Sequence, residues 1–451
     1  MIRFITPSAY FLALAVSTGS GYVAAEDLLQ VYELARQNDH QYKADIAKYN
    51  ASREGATIAR GALLPQITAN ASVAREEVDA SSTSPQQDGK TDTDTTSVGV
   101  SLRQSLLNFN AINSYRSSKI NTSAAEAQLA ADEQSLIIRS AQAYFDVLRA
   151  VDTQRTAQAE EKSLATQLEQ TKQRYEVGLI SINDVYETQA AYDTAVAGRL
   201  TADVAVGLQL ENLAILTGQY HNRIASLADD FTASYPEPNN NQDWITAAQS
   251  NNLSLKVSKL TADAAEYGAK AARGNRYPEL TGSLSYGRSE RETGGDSSVD
   301  TDANSAEIRL DLSVPLYSGG SLSASERQAV QQQIQARELF LSTQRSTIQS
   351  TRSLFLSVTT DIARIKARKQ AIVSRQSALE ATQAGYDAGT RDVVDVVNAQ
   401  SNLFNAQRDY YTALYDYIIN TLKLKEVAGT LSVADLEALN GRLQTERDVG
   451  F

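Results

Sequence analysis

Between Asn110 and Tyr175 no proline or glycine interrupts 66 residues, and Ile137, Ala141, Tyr144, Leu148 and Val151 recur at steps of 4 and 3. A mean period of about 3.5 predicts a continuous helix wound into a left-handed coiled coil. At about 1.5 Å per residue it is roughly 100 Å long. A second such stretch begins near Gly320 and reaches Gly385, with Ile348, Thr351, Phe355, Val358, Ile362 and Ile365 at steps of 3 and 4. Elsewhere the period drops to two. Ile67, Ala69, Ala71 and Val73 alternate with Gln66, Thr68, Asn70 and Ser72, and Val98, Val100 and Leu102 alternate with Ser97, Gly99, Ser101 and Arg103. This predicts strands over about 63–76 and 96–108, joined by a polar, acidic loop from Glu76 to Thr96.

The pattern then repeats. Leu280, Gly282, Leu284 and Tyr286 alternate with Thr281, Ser283 and Ser285, and Ile308, Leu310, Leu312 and Val314 alternate with Arg309, Asp311 and Ser313. These are strands over about 278–288 and 305–317 around a second acidic loop, Ser289 to Asn304. A helix from Leu28 to Gly61, closed by Pro65, precedes the first strand pair; one from Trp244 to Ala272, closed by Pro278, precedes the second. Each long helix ends at a glycine, Gly178 or Gly389, the residue that takes the left-handed conformation past a helix end without strain. Ser181 or Thr390 can cap the helix that returns. The two hairpin tips are 175–189 and 386–400, and the first return helix runs from Asn183 to Leu216 before Thr217-Gly218. Pro65 answers Pro278, Leu106 answers Leu316, Tyr175 answers Tyr386, Gln189 answers Gln400 and Gly218 answers Gly429, with offsets of 210 to 213. The chain is read as a duplication: 26–218 as the first repeat, 219–243 as a connecting loop, 244–429 as the second repeat and 430–451 as a terminal segment.

Residues 1–25 carry one charge, Arg3, an apolar run around Tyr10 to Val16 and a small-residue end at Val23-Ala-Ala25, as in a secretory signal cleaved after Ala25. Beyond them no apolar run approaches about 18 residues, so a membrane part has to be a β-barrel. Strands apolar on one face and polar on the other suit an outer-membrane barrel, although a soluble β-sandwich shows the same alternation. Four strands cannot close a barrel, and helices this long cannot bury both sides within one chain. Both facts call for several chains side by side, closing a tube that is β in the membrane and α below it.

Composition narrows the function. A formal net charge of -12 argues against nucleic acid as a partner, since phosphate binding needs a basic face. The chain has no cysteine, which excludes disulfides, thiolate metal sites and a lipidated cysteine. Its two histidines, His40 and His221, stand in a helix and a loop without nucleophile or ligand spacing nearby, so neither an enzyme nor a cofactor is expected.

The signal sequence, the duplicated strand-strand-long-helix plan, the tip Tyr386-Asp-Ala-Gly-Thr-Arg-Asp-Val-Val-Asp-Val-Val-Asn-Ala-Gln400 and the ending Leu422-Lys-Leu-Lys-Glu-Val-Ala-Gly-Thr-Leu431 resemble the TolC family of outer-membrane channel-tunnel proteins. The resemblance covers nearly all of 26–440. It implies a homotrimer with a 12-stranded β-barrel in the outer-membrane lipid of a Gram-negative bacterium and a long α-barrel in the periplasm. It also implies export of drugs or secreted polypeptides, with a periplasmic adaptor (membrane fusion) protein and an inner-membrane transporter of the RND, ABC or MFS type.

The same resemblance assigns roles at the tips. Asp395 would form a ring of carboxylates that narrows the periplasmic entrance and binds multivalent cations. Asn398 stands where family members often carry a second acid, and Asp392 is a neighbouring acid that could compensate. Asp184 would bond Tyr386 and Arg391 and latch the entrance shut, with Asn183 where a small hydroxyl residue is common. By residue chemistry alone, Asp392 and Asp395 also suit ordinary helix starts, where the dipole favours acids, and Tyr386 suits helix packing. The competing architecture is a structural trimeric coiled-coil tether or adhesin with a small β-barrel anchor.

Overall fold

The computed structural model describes residues 26–80, 89–228, 231–294 and 299–448; the expected signal segment 1–25 lies outside them. In chain order the elements are α1 (Leu28–Asn38), α2 (His40–Gly61), β1 (Gln66–Ala80), β2 (Gly89–Leu107), α3 (Phe109–Glu176), α4 (Ile182–Thr217) and β3 (Arg223–Leu227). The second half follows with α5 (Asn241–Asn251), α6 (Leu253–Gly274), β4 (Glu279–Gly294), β5 (Thr301–Ser313), α7 (Ser321–Asp387), α8 (Val393–Ala428), α9 (Val433–Asn440) and β6 (Leu443–Asp448).

α3 and α7 are unbroken helices of 68 and 67 residues, each about 100 Å long. Their heptad positions are the ones buried: Ile137, Ala141, Tyr144, Leu148 and Val151 on α3, and Thr351, Val358 and Ile365 on α7. The helices expected over 28–61 and 244–272 are each two helices instead. No proline or glycine marks the breaks; side-chain caps make them. Asp39 accepts from the N–H groups of Gln41 and Tyr42 at 3.1 and 3.4 Å, and Asn252 accepts from Leu255 N–H at 2.8 Å. Neighbouring amides tie the breaks to the ends of the return helices, Asn38 Nδ2 donating to Thr217 O at 2.8 Å and Asn252 Nδ2 to Val427 O at 2.9 Å. Burial by itself would raise the Asp39 carboxyl. The Arg139 guanidinium at 2.5 Å and the two backbone donors outweigh burial and hold it below its ordinary range.

Most of the apolar core lies where α1, α5 and α9 wrap the long helices, around Leu28, Tyr32, Leu136, Tyr144, Phe145, Tyr415, Ile418 and Leu424. Beside it β3 pairs antiparallel with β6, and Glu26 bridges to Ile224. His221 is buried here. Its Nε2 lies 2.6 Å from Thr217 Oγ1, and its Nδ1 contacts the Glu26 carboxylate, a local structural linkage.

The other sheet is antiparallel in the order β1-β2-β4-β5. Its register aligns the alternation across all four strands. Ile67, Leu102, Leu284 and Ile308 stand in one row, and Gln66, Arg103, Ser283 and Arg309 in the next. The apolar face is open, with Ile67 71% and Ile308 83% exposed. The strands also run well into the segments expected to be loops. In those extensions the outward positions turn charged and pair across strands, as in Arg75 with Asp92 at 3.4 Å, Lys90 with Glu77 at 3.7 Å and Arg288 with Asp302 at 2.8 Å. Cross-strand pairs and the threonines of β2 stabilise extended backbone that alternation of apolar residues does not mark.

The three tiers share one order. From contacts within the chain, α2, α3, α6 and α7 lie side by side below β1, β2, β4 and β5, and further down the order is α4, α3, α8, α7. Each tier therefore ends on one side in β1, α2 or α4 and on the other in β5 or α7.

Candidate functional site

Both tips turn through the same device. Gly178 and Gly389 have φ of +77° and +73°. The chain then closes back on the helix, Leu179 N–H donating to Arg174 O at 2.9 Å and Thr390 N–H to Gly385 O at 2.8 Å. Ser181 caps α4 in a reciprocal box with Asp184, whose carboxylate accepts from Ser181 N–H at 2.9 Å and Ser181 Oγ at 3.0 Å. In the second tip the cap is Asp392, accepting from Asp395 N–H at 2.8 Å, and not Thr390, whose hydroxyl bonds back to Gly385 O at 3.0 Å.

Tyr386 closes a small apolar cluster with Val393, Val396 and Leu379. Arg174, from the end of α3, lies over its ring at 4.5 Å from the centroid and reaches Asp387 at 3.6 Å. No pattern in the sequence marks this contact between the two tips. An arginine one residue before Tyr175 is an ordinary helix-end cation in sequence, and only the packing of α3 on α8 carries it to Tyr386. The Tyr386 hydroxyl is buried and has no hydrogen-bond partner among the described residues.

Asp395 is partly exposed and pairs with Arg391 one turn earlier at 3.3 Å. Within the chain Asp184 makes no hydrogen bond or ion pair with Tyr386 or Arg391 among the described residues, because its carboxylate is turned back onto Ser181 and Arg391 onto Asp395. Asn183 is exposed in the first turn of α4. Asn398 lines a groove of about 490 Å³ between the α3/α4 hairpin and α8, with Glu160, Glu187, Ser401 and Arg408 among its polar groups. A further groove of about 1050 Å³ between α3 and the α7/α8 tip is lined by five glutamines together with Lys162, Arg174 and Asp387; Gln167 Nε2 and Gln400 Oε1 are buried there without partners among the described residues. No group of three or more His, Cys, Asp or Glu suited to a metal occurs among the described residues. The tip is thus acidic and capped, with the Tyr386 hydroxyl and the two glutamine amide groups buried without hydrogen-bond partners among the described residues.

Comparison with known proteins places this architecture. Residues 31–219 and 244–430 match the outer membrane efflux protein family, one segment in each repeat. The outer membrane protein TolC of Vibrio cholerae is 34% identical over 439 residues, covering 97% of this chain and 98% of that protein. The alkaline protease secretion protein AprF of Pseudomonas aeruginosa is 28% identical over 414 residues, covering 91% of this chain and 86% of that protein. Among solved structures, the Campylobacter jejuni CmeC outer membrane channel superposes with a TM-score of 0.78 at 16% identity, covering 98% of both chains. The open state of the Neisseria gonorrhoeae MtrE outer membrane channel gives 0.68 at 18% identity, covering 90% of both.

Proposed function

Because this chain belongs to the outer membrane efflux protein family, an outer-membrane protein with a role in export, we propose that three copies form one continuous conduit. The β-sheets close a 12-stranded barrel through the membrane, the helices continue it as an α-barrel through the periplasm, and the tips gate it. The observation that carries this reading is the four-stranded sheet: its register gathers apolar residues on one exposed face, and β1 and β5 each leave an edge without a partner among the described residues. Unpaired strand edges cannot sit in lipid, so the sheet is completed by its copies. Two copies would give eight strands, a barrel whose interior side chains nearly fill. Three give twelve, and the inward rows are mostly small polar residues, such as Ser72, Ser97 and Ser289 or Asn70, Gly99, Gly287 and Ser305, which suit a water-filled lumen.

At the other end, Asp395 from each copy faces the axis and makes the acidic constriction, flanked by Asp392 and Asn398. Multivalent cations bind best where several carboxylates converge. The latch runs between tips of adjoining copies: the exposed Arg391 fork reaches a neighbour's Asp184, and the Tyr386 hydroxyl, buried without a partner among the described residues, joins it when the tip shifts. A periplasmic adaptor bound along the tips would stabilise the open form, and an inner-membrane transporter would supply the cargo, a drug or a secreted polypeptide. The test is conductance in a planar bilayer, with the mass of the detergent-solubilised oligomer measured alongside. Discrete channel openings from a trimer support the reading. A trimer that binds the bilayer without conducting would favour the tether or adhesin architecture.

A further inference from the structure

Most cations of the four-stranded sheet are matched by acids. On the outward face above the apolar band, Arg75 pairs with Asp92, Lys90 with Glu77 and Arg288 with Asp302. On the inward face Arg309 Nε donates to Glu307 at 2.9 Å, and Asp311 follows two residues later on the same side. Arg103, also inward, is different. It is exposed and makes no ion pair or side-chain hydrogen bond among the described residues. In a chain of net charge -12 the reason is not a shortage of acids.

The register supplies the reason. Arg103 stands in the row of Gln66, Ser283 and Arg309, one step from the apolar row of Ile67, Leu102, Leu284 and Ile308. A guanidinium is costly on the lipid side of a barrel, so this row faces the lumen. Its near neighbours there are neutral: Gln66 and Thr68 on β1, and Thr281, Ser283 and Ser285 on β4. The acids Glu307 and Asp311 belong to β5, two strands away, about 10 Å across the sheet. Closure of the barrel supplies no closer one. β2 is flanked by β1 and β4 of its own chain, so no strand of another copy comes to lie beside Arg103. In a ring of three copies, symmetry sets three such guanidinia at one height, four strands apart. From a strand spacing of about 4.8 Å and a tilt of about 40°, a 12-stranded barrel measures roughly 25 Å between opposite backbones. Three arginine arms reaching inward then leave their heads about 10 Å from one another. A small monovalent anion meets one head, whereas a polyvalent anion spans two or three.

We propose that Arg103 of each copy forms a cationic ring in the barrel lumen, which holds polyvalent anions and favours cargo bearing carboxylate or phosphate groups. The guanidinium fork suits both, since it offers two parallel N–H donors to paired oxygens. Low-dielectric walls focus its charge along the passage. The inference rests on the three-copy channel reading and adds a charged station to its barrel, opposite in sign to the acids of the tip.

The experiment records single channels of the full chain in planar bilayers. Sodium tripolyphosphate is added opposite the side of protein addition, where the barrel opens because the polar helical tube cannot cross lipid. The expected result is voltage-dependent block of the wild type. In Arg103→Gln the half-blocking concentration should rise at least about tenfold, as three exposed ion pairs are lost. Arg103→Lys keeps the charge and should retain most of the block. Removing a matched pair, Glu307→Gln with Arg309→Gln, leaves the net charge unchanged and should stay within about twofold of the wild type. Added potassium chloride should weaken the block by screening. Wild-type channels that open but are not blocked, or equal block in wild type and Arg103→Gln, would overturn the ring and leave the channel standing. An equal loss in the Glu307 and Arg309 double variant would overturn it as well, because the effect would then belong to the lumen at large. Absence of channel openings from the wild type refutes the channel reading, and the ring falls with it.

Discussion

Four glycines end the four longest helices with nearly the same backbone, φ of +77° at Gly178, +77° at Gly218, +73° at Gly389 and +72° at Gly429, yet their surroundings differ. Replacing each with alanine therefore separates backbone strain from packing. The left-handed conformation costs an alanine about 1–2 kcal/mol wherever it occurs. At Gly178 and Gly389 an added Cβ meets nothing within 4 Å, so that cost is the whole effect. At Gly218 it comes within 3.1 Å of the Asn38 side chain, which can shift, at the expense of its bond to Thr217 O. At Gly429 it lands 2.3 Å from Asn251 O and 2.8 Å from Asn252 N, backbone atoms held by the Asn252 clamp on Val427. Overpacking against backbone adds about 1–3 kcal/mol or more, so Gly429→Ala should lose about 2–5 kcal/mol. Equilibrium urea unfolding of the four variants in detergent, read as changes in midpoint at constant slope, gives the order directly. Gly429→Ala no more destabilised than Gly389→Ala would refute the claim that the return helix is wedged into the α5–α6 break.

Four further expectations concern the membrane face, the gate and a buried acid. Ile308→Arg puts a charge on the lipid side of the sheet and should cost about 2–4 kcal/mol if it lies near the bilayer midplane, abolishing membrane assembly in a cell-fractionation assay. Asp395→Ala should weaken block by multivalent cations in planar bilayers; an unchanged block would remove Asp395 from the constriction. Asp184→Ala combined with Tyr386→Phe should raise single-channel conductance, and a wild-type value would dismiss the latch. Glu426, half-buried on α8, has its carboxyl pushed up by burial, which Lys423 only partly offsets. Between the ordinary and the raised value the native chain holds the extra proton, so stability falls as pH rises through that window. Glu426→Gln should therefore raise the melting temperature at neutral pH, by an amount that shrinks in acid.

The sequence by itself determined the duplication, the extent of the long helices, the strand faces and the tip turns. Each of these follows from a period or a backbone preference that acts over a few residues: 3.5 for Ile137 to Val151, two for Ile67 to Val73, a left-handed glycine at Gly178 and Gly389. The tip acids were legible as residues, but their partners were not. Asp184 and Arg391 are matched donor and acceptor in composition, and within the folded chain each closes a local bond one turn away, to Ser181 and Asp395. Only the tertiary structure decided that Arg174 covers Tyr386, that Asp39 and Asn252 break helices a periodicity would leave whole, and that charged strand extensions pair beyond the apolar band. In each case a group from another element takes part: α3 for Tyr386, Arg139 beside the Asp39 cap, Val427 O beside the Asn252 cap, and the neighbouring strand for Arg75. The order β1-β2-β4-β5 above α4-α3-α8-α7 belongs to the same class. It depends on which faces meet across the whole chain, and it leaves α4 and α7 at opposite edges, each with one side still to cover.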